Sequence, residues 1–168
     1  MNRTTLILAT LLLIGAAGCA RGPGSGSAPD FTLHPPAWTG APAFTLSAHR
    51  DKPTLLYFMA AWCITCVPEA KALAVLYAEF GERVNLIAVD VDPVDNEDGL
   101  RRFKKAAKGA DHLWSLDDHG RLRRAYHVTQ LDITVIIDAA GHERYRAFGP
   151  RGQATLREAL IAAGAATP

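Results

Sequence analysis

The spacing of apolar residues changes repeatedly along the chain and predicts strands that alternate with helices from residue 54 onward. Continuous short apolar runs indicate buried strands, whereas apolar residues three or four positions apart indicate amphipathic helices. Strands are predicted at Thr54–Met59, Val84–Val91, Leu113–Leu116, Ile133–Asp138 and Arg144–Phe148. Helices are predicted at Thr65–Phe80, Glu97–Lys108, Arg121–Tyr126 and Thr155–Ala163. This alternation, closed by a hairpin and a helix, predicts a three-layer α/β domain with a mixed sheet.

The region before residue 44 has a different composition. Residues 20–43 contain a Gly- and Ser-rich stretch followed by Pro35 and Pro36, which is typical of a flexible tether that becomes stiffer. Two similar short segments, Asp30–Leu33 and Ala43–Leu46, could each form the first edge strand. The predicted organisation is therefore a signal peptide at 1–18, a tether at 19–43 and a folded domain at 44–168.

The first residues indicate export from the cytoplasm. An apolar run from about Leu6 to Ala17 is too short to span a bilayer as a helix, and its length suits a secretory signal. The run ends at Cys19 in a sequence that resembles a bacterial lipoprotein processing site, although Ala16 stands where the usual pattern has Leu. Cys19 is the predicted lipid attachment site. The alternative is an ordinary signal peptide with an incidental cysteine.

Composition and net charge indicate an ordinary globular protein and give no support for nucleic-acid binding. The 168 residues are 49% hydrophobic and 21% charged, which is an ordinary globular balance. The formal net charge is only +1, so it gives no electrostatic argument for nucleic acid or for a polybasic membrane patch. We therefore expect no nucleic-acid partner.

Two of the three cysteines, Cys63 and Cys66, have the spacing of a redox pair. They lie where a buried strand meets a helix, so both thiols fall on the first helical turn. The helix dipole and the unpaired N–H groups there stabilise a thiolate at Cys63, and a thiolate is the attacking species in disulfide exchange. A structural disulfide, half of a zinc site and coincidence are the alternatives.

The segment from Tyr57 to Glu69, with its Trp-Cys-x-x-Cys core, resembles the active site of thioredoxin-like proteins. It is most similar to the TlpA/ResA group of tethered bacterial thiol–disulfide oxidoreductases, and weaker similarity extends over roughly residues 28–165. The resemblance implies a thioredoxin-like three-layer α/β/α domain with a mixed central sheet. It implies redox chemistry at Cys63 and Cys66 without an organic cofactor or a metal.

The resemblance also implies which residues surround the thiols. Glu69 matches an acidic position near the active site, where a carboxylate could relay the proton of Cys66. The alternative for Glu69 is a solvated residue of the first helical turn, favoured by the helix dipole. The other residues expected around the pair are Trp62, Ile64, Thr65, Leu131 and Asp132.

Two positions depart from the thioredoxin pattern. Tyr57 stands where thioredoxin has a buried aspartate, so the usual proton acceptor is absent. Asp132 stands where the family has a cis-proline, and a cis bond before a non-proline residue costs about 2.5–4 kcal/mol. A trans loop is therefore expected, with Asp132 either within reach of the thiols or turned to solvent at the start of the strand.

These inferences predict a membrane-tethered thiol–disulfide oxidoreductase outside the cytoplasm. Its expected partners are cysteine-containing extracytoplasmic proteins, a membrane thiol–disulfide reductase that donates electrons, and the membrane itself through a lipid anchor. The resemblance implies a reductant for cytochrome c maturation or copper-site assembly. The main alternative is a copper-binding or metal-delivery protein that uses the same cysteines. A peroxidase and an inert structural lipoprotein are weaker alternatives.

Overall fold

The computed structural model describes residues 26–167. Its strands are β1 (Thr32–Leu33), β2 (Phe44–Thr45), β3 (Thr54–Met59), β4 (Asn85–Asp90), β5 (Leu113–Leu116), β6 (Ile133–Ile137) and β7 (Glu143–Phe148). Its α-helices are α1 (Val67–Phe80), α2 (Glu97–Ala106), α3 (Arg121–Ala125) and α4 (Gly152–Ala162). The predicted strand and helix order from residue 54 onward is confirmed. The ends differ by a few residues, the largest difference being the start of α4.

Five strands form the central sheet in the order β5-β4-β3-β6-β7. Strands β3, β4 and β5 are parallel to one another, whereas β6 is antiparallel to both β3 and β7. The parallel connections pass through α1 and α2, and β6 joins β7 through a tight turn at Gly141, whose φ is +83°. The mixed sheet predicted from the sequence is confirmed.

Alternating side chains of the strands build a separate core on each face of the sheet. Leu55, Tyr57 and Met59 of β3 belong to the core covered by α1, α2 and α4. Leu56 and Phe58 belong to the core covered by α3 and the N-terminal segment. The result is the expected three-layer arrangement, since helices cover both faces of a largely buried sheet.

The N-terminal segment is part of the folded domain from about residue 28, which corrects the tether boundary predicted at residue 43. Strands β1 and β2 pair with each other in a separate two-stranded sheet, so neither is an edge strand of the central sheet. Ala28 and Leu33 are buried in the second core. Composition suggested a tether because Pro and Gly are frequent here. The few apolar side chains of the segment, such as Ala28 and Leu33, nevertheless pack into the second core.

A single tyrosine fixes the start of this segment. The Tyr126 hydroxyl donates a hydrogen bond to the carbonyl oxygen of Pro29 at 2.8 Å, and the ring of Phe31 packs edge-on against Tyr126 with centroids 5.9 Å apart. Cys19 and the predicted signal peptide lie outside the described residues. Within residues 26–167, no helix is both long enough and apolar enough to cross a membrane.

Candidate active site

Cys63 and Cys66 form a disulfide at the junction of β3 and α1, with their Cα atoms 5.3 Å apart. The chain leaves β3 in a turn, in which the N–H of Cys63 donates to the carbonyl oxygen of Ala60 at 3.0 Å. A 3₁₀ turn over Ile64–Cys66 then leads directly into α1. Cys63 therefore precedes the first helical turn, which is where unpaired N–H groups favour a thiolate.

The two sulfur atoms differ in accessibility. Cys66 is fully buried, whereas Cys63 keeps 5% of its surface exposed. The Sγ of Cys63 also lies 3.4 Å from the hydroxyl oxygen of Thr65, which can donate a hydrogen bond to a thiolate. An incoming sulfur atom therefore reaches Cys63 first.

Exposed apolar side chains lie on the segments that border the disulfide. Trp62 and Ile64, which flank Cys63, are 61% and 84% exposed. Phe148 is also exposed, and it pairs with Ile133 directly after the Asp132 loop. Exposed apolar groups beside a reactive centre are typical of a surface that contacts another protein.

Asp132 lies in the loop that precedes β6, and it is buried rather than turned to solvent. The described residues contain no cis peptide bond, so the expected trans loop is confirmed. Asp132 has a φ of +63°, a conformation that aspartate tolerates better than most residues. Its N–H donates to the carbonyl oxygen of Phe58 at 2.9 Å, which joins the loop to the end of β3.

Tyr57 connects Asp132 with the resolving cysteine. Its hydroxyl group donates to Asp132 Oδ1 and to the carbonyl oxygen of Cys66, each at 2.9 Å. Burial raises the pKa of Asp132 above its ordinary value; the hydrogen bond from Tyr57 opposes the shift and the nearby charge of Glu69 adds to it. Tyr57 stands where thioredoxin has a buried aspartate. The carboxylate of Asp132, from the loop before β6, is hydrogen-bonded to this tyrosine.

Glu69 is completely buried, so it is not a solvated residue of the first helical turn. Its Oε2 accepts hydrogen bonds from the N–H groups of Arg151 and Gly152 at 2.9 and 3.1 Å, and its Oε1 accepts from the Thr134 hydroxyl at 3.2 Å. These bonds explain why α4 begins at Gly152 and not at Thr155. Glu69 binds α1 to the start of α4, and both of its oxygen atoms already have donors.

A pair of carboxylates that the sequence did not indicate binds the backbone N–H of Ala61, next to Trp62. Asp90 Oδ2 and Asp95 Oδ2 both accept from the N–H of Ala61, at 3.0 and 2.8 Å. Burial raises the pKa of Asp90 to about 7, opposed by the bond from the Asp92 N–H and reinforced by Asp95. The available signal was an aspartate that ends a buried strand, but nothing in the sequence indicates that Asp95 folds back towards it.

The remaining predicted residues have smaller roles in the geometry. Leu131 is half-buried and packs against both cores, beside Asp132. The indole N–H of Trp62 donates to Asp92 Oδ2 at 2.8 Å, which fixes the ring next to Cys63. Among residues 26–167, no group of three or more His, Cys, Asp and Glu side chains has an arrangement that could hold a metal ion.

Known proteins resemble this chain in both sequence and fold. The AhpC/TSA family model matches residues 25–146. The Mercury resistance operon ORF3 protein of Streptomyces lividans is 30% identical over 124 residues, which is 72% of this chain and 65% of the relative. The thiol:disulfide interchange protein CycY of Rhizobium leguminosarum bv. viciae is 29% identical over 122 residues, 73% of this chain and 63% of the relative.

The fold has close counterparts among solved structures. A thiol:disulfide interchange protein of the thioredoxin family from Chlorobium tepidum superposes with a TM-score of 0.68 at 20% identity, covering 86% of this chain and 99% of that one. The matched region spans just under two thirds of the two sequence relatives. The family model covers well over half of the chain, and the chain therefore belongs to the AhpC/TSA family and has the thioredoxin-like fold.

Proposed function

We propose that the protein is a thiol–disulfide oxidoreductase that exchanges electrons with cysteine pairs of other proteins. The observation that carries the proposal is the asymmetric disulfide, in which Cys63 is accessible at the start of a helix and Cys66 is buried behind it. The name of the relative CycY supports the same chemistry.

The exchange has two steps. The Cys63 thiolate attacks one sulfur atom of a substrate disulfide, the substrate S–S bond breaks, and the leaving thiolate takes a proton from water. The Cys66 thiol then loses its proton and attacks Cys63, which forms the disulfide of the structure and releases the second substrate thiol. Two electrons pass to the substrate, and a membrane thiol–disulfide reductase would restore the dithiol.

The second step needs an acceptor for the Cys66 proton, because burial disfavours the thiolate. Asp132 and Glu69 are the two candidate acceptors. Asp132 is favoured, since it is bonded through Tyr57 to the backbone of Cys66, whereas both oxygen atoms of Glu69 already accept bonds from α4 and Thr134. Trp62, Ile64, Thr65 and Leu131 would form the surface that receives the substrate.

The proposal also covers where the protein works and which process it serves. We infer from the sequence that Cys19 carries a lipid and that the domain works outside the cytoplasm, as a reductant in cytochrome c maturation or copper-site assembly. Cys19→Ala should abolish lipid labelling and release a folded, redox-competent domain. Protein that stays in the membrane fraction after this substitution would contradict the lipid anchor.

Trapping tests the exchange reaction directly. The Cys66→Ser variant, expressed in the source cell, should accumulate mixed disulfides through Cys63, and mass spectrometry would identify the partners. Alkylation of the same variant should show an inflection below the free-thiol pKa of about 8.5. The Cys63→Ser variant is the control and should trap nothing. Reduced protein that binds Cu(I) but does not exchange with a model disulfide would favour metal delivery instead.

A further inference from the structure

A cleft of about 510 Å³ lies on the α3 side of the molecule, and its lining carries positive charge without any acidic residue. Pro93 and Thr129 are among the residues that line it. The four charged or titratable side chains that line it are His119, Arg123, Arg124 and His127. The formal net charge of the chain is only +1, so this concentration of basic groups is local.

The guanidinium groups of both arginines are bonded to backbone carbonyl oxygens and not to carboxylates, although the backbone N–H of Arg123 donates to Asp117 Oδ2 at 2.7 Å. Arg123 Nε donates to the carbonyl oxygen of Val128 at 3.1 Å, and Arg124 Nη1 donates to the carbonyl oxygen of His119 at 2.9 Å. Within residues 26–167 neither guanidinium group has an ion-pair partner, whereas the neighbouring Arg121 pairs with Asp118. Both arginines are exposed and keep free N–H groups for an anionic ligand.

Both histidines of the cleft have a strained backbone. His119 has a φ of +53° and His127 a φ of +51°, in the left-handed region that non-glycine residues rarely adopt. Such conformations occur more often at functional sites. Both residues are exposed and line the same cleft.

Short stretches of chain connect the lining of the cleft with the redox site. Pro93 follows Asp92, whose Oδ2 binds the indole of Trp62 next to Cys63, and Thr129 precedes Asp132 by three residues. The two carboxylates closest in sequence to the lining already have partners. Asp92 accepts from Trp62 and from the Val94 N–H, and Asp118 pairs with Arg121 and His119.

We propose that this cleft binds an acidic segment of the protein whose cysteines exchange with Cys63. The inference rests on the proposed function and identifies the partner by its charge. A guanidinium group matches the two oxygen atoms of a carboxylate, and paired arginines favour closely spaced Asp or Glu side chains. The volume lies within the range of about 300–1,000 Å³ usual for ligand clefts and exceeds what one isolated carboxylate fills.

Kinetic selectivity between peptides tests the proposal. Three disulfide peptides of equal length would carry Glu, Gln or Lys beside the cystine, and stopped-flow fluorescence would give the exchange rate constant with the reduced protein. The wild-type protein should prefer the acidic peptide over the neutral one by about 10-fold at low salt, and the preference should disappear at about 0.5 M salt. An equal rate with all three peptides would overturn the proposal.

Two double variants that remove the same amount of charge show whether the preference for the acidic peptide depends on the cleft. The Arg123→Gln/Arg124→Gln variant should lose the preference for the acidic peptide and keep the wild-type rate on the neutral one. The control Arg102→Gln/Lys105→Gln changes exposed residues of α2, on the opposite face of the sheet, and should keep the preference. If the double variant unfolds, the single variants Arg123→Gln and Arg124→Gln replace it, and each should lose part of the preference.

A binding measurement separates this proposal from the proposed function. An acidic peptide without cysteine should shift the NMR signals of His119 and His127, and inorganic phosphate at equal charge should bind more weakly. Peptide binding without any exchange would contradict the oxidoreductase function and leave the cleft intact. Exchange without peptide binding, or phosphate that binds as tightly as the peptide, would overturn the cleft as a peptide site.

Discussion

The hydroxyl group of Tyr57 lies 2.9 Å from Asp132 Oδ1, across the boundary between β3 and the loop before β6. The same hydroxyl lies 2.9 Å from the carbonyl oxygen of Cys66, so one proton serves two acceptors. Tyr57 therefore links the loop before β6 to the backbone of the resolving cysteine. Burial raises the pKa of Asp132, and the hydrogen bond from Tyr57 opposes that shift.

Asp132→Asn should slow disulfide exchange at neutral pH if Asp132 accepts the Cys66 proton. A positioned base contributes about 100-fold to 10,000-fold, so we expect a loss of about 100-fold or more, shrinking as pH rises and Cys66 ionises unaided. Stopped-flow oxidation of the reduced variant by a model disulfide measures this profile. Tyr57→Phe removes a bond that lowers the pKa of Asp132, so its profile should shift to higher pH. An Asp132→Asn profile identical to the wild type would exclude the carboxylate from the mechanism.

Restoring the family's proline at position 132 should destabilise this chain. Proline fixes φ near −65°, whereas Asp132 has a φ of +63°, and proline also removes the N–H that bonds to Phe58. We expect Asp132→Pro to lower the free energy of unfolding by more than 1 kcal/mol, measured by urea denaturation. Asp132→Gly is the control, because glycine adopts a positive φ without strain. Proline tolerated at no cost would show that the loop rearranges easily.

The sequence was sufficient for the main elements because their patterns are local. The apolar run of β3 and the helical spacing in α1 each depend on a few neighbouring residues, and both lie close to where they were predicted. The partners of Asp132 and Asp90 could not be predicted, because Tyr57 is 75 residues away from Asp132 and Asp95 returns through a loop. The docking of Leu33 was missed for the same reason, since its core neighbours come from later in the chain.

Glu69→Gln should weaken the attachment of α4 to α1. The glutamine oxygen can still accept from Arg151 and Gly152, with its amide turned towards Thr134, but the bonds lose the negative charge that strengthens them. We expect a loss of about 1–3 kcal/mol in the free energy of unfolding, measured by urea denaturation, with an exchange profile of unchanged shape. Thr134→Val removes the third donor and serves as a milder control. A deficit in exchange that shrinks as pH rises would instead identify Glu69 as the proton acceptor.

Shortening the chain from its N-terminus should show where the folded domain begins. A chain that starts at residue 26 keeps Ala28, Phe31 and Leu33, and we expect the same melting temperature as the chain that starts at residue 19. A chain that starts at residue 44 loses the burial of Leu33 and the bond from Tyr126 to Pro29. Its free energy of unfolding should fall by about 2–4 kcal/mol. Equal melting temperatures for all three would restore the tether boundary at residue 43.

The raised pKa of Asp90 should make the domain less stable as pH rises through the acidic range. Below about pH 4 the carboxyl group is protonated in both the folded and the unfolded chain. Between its ordinary value of 3.8 and about 7, only the folded chain retains the proton, so unfolding releases it. The contribution of Asp90 should therefore fall by at most about 1.4 kcal/mol per pH unit across that window and change no further above it.

Comparison of variants isolates this contribution from that of other carboxylates, several of which have lowered pKa values and the opposite slope. Asp90→Asn keeps an oxygen atom for the Ala61 N–H but does not titrate, so its advantage over the wild type should grow from pH 4 to pH 7. Asp95→Asn removes a neighbour that raises the pKa of Asp90, so the loss of stability should end at a lower pH. Urea denaturation at several pH values measures both. If the difference between Asp90→Asn and the wild type is constant across the range, Asp90 does not retain its proton in the folded domain.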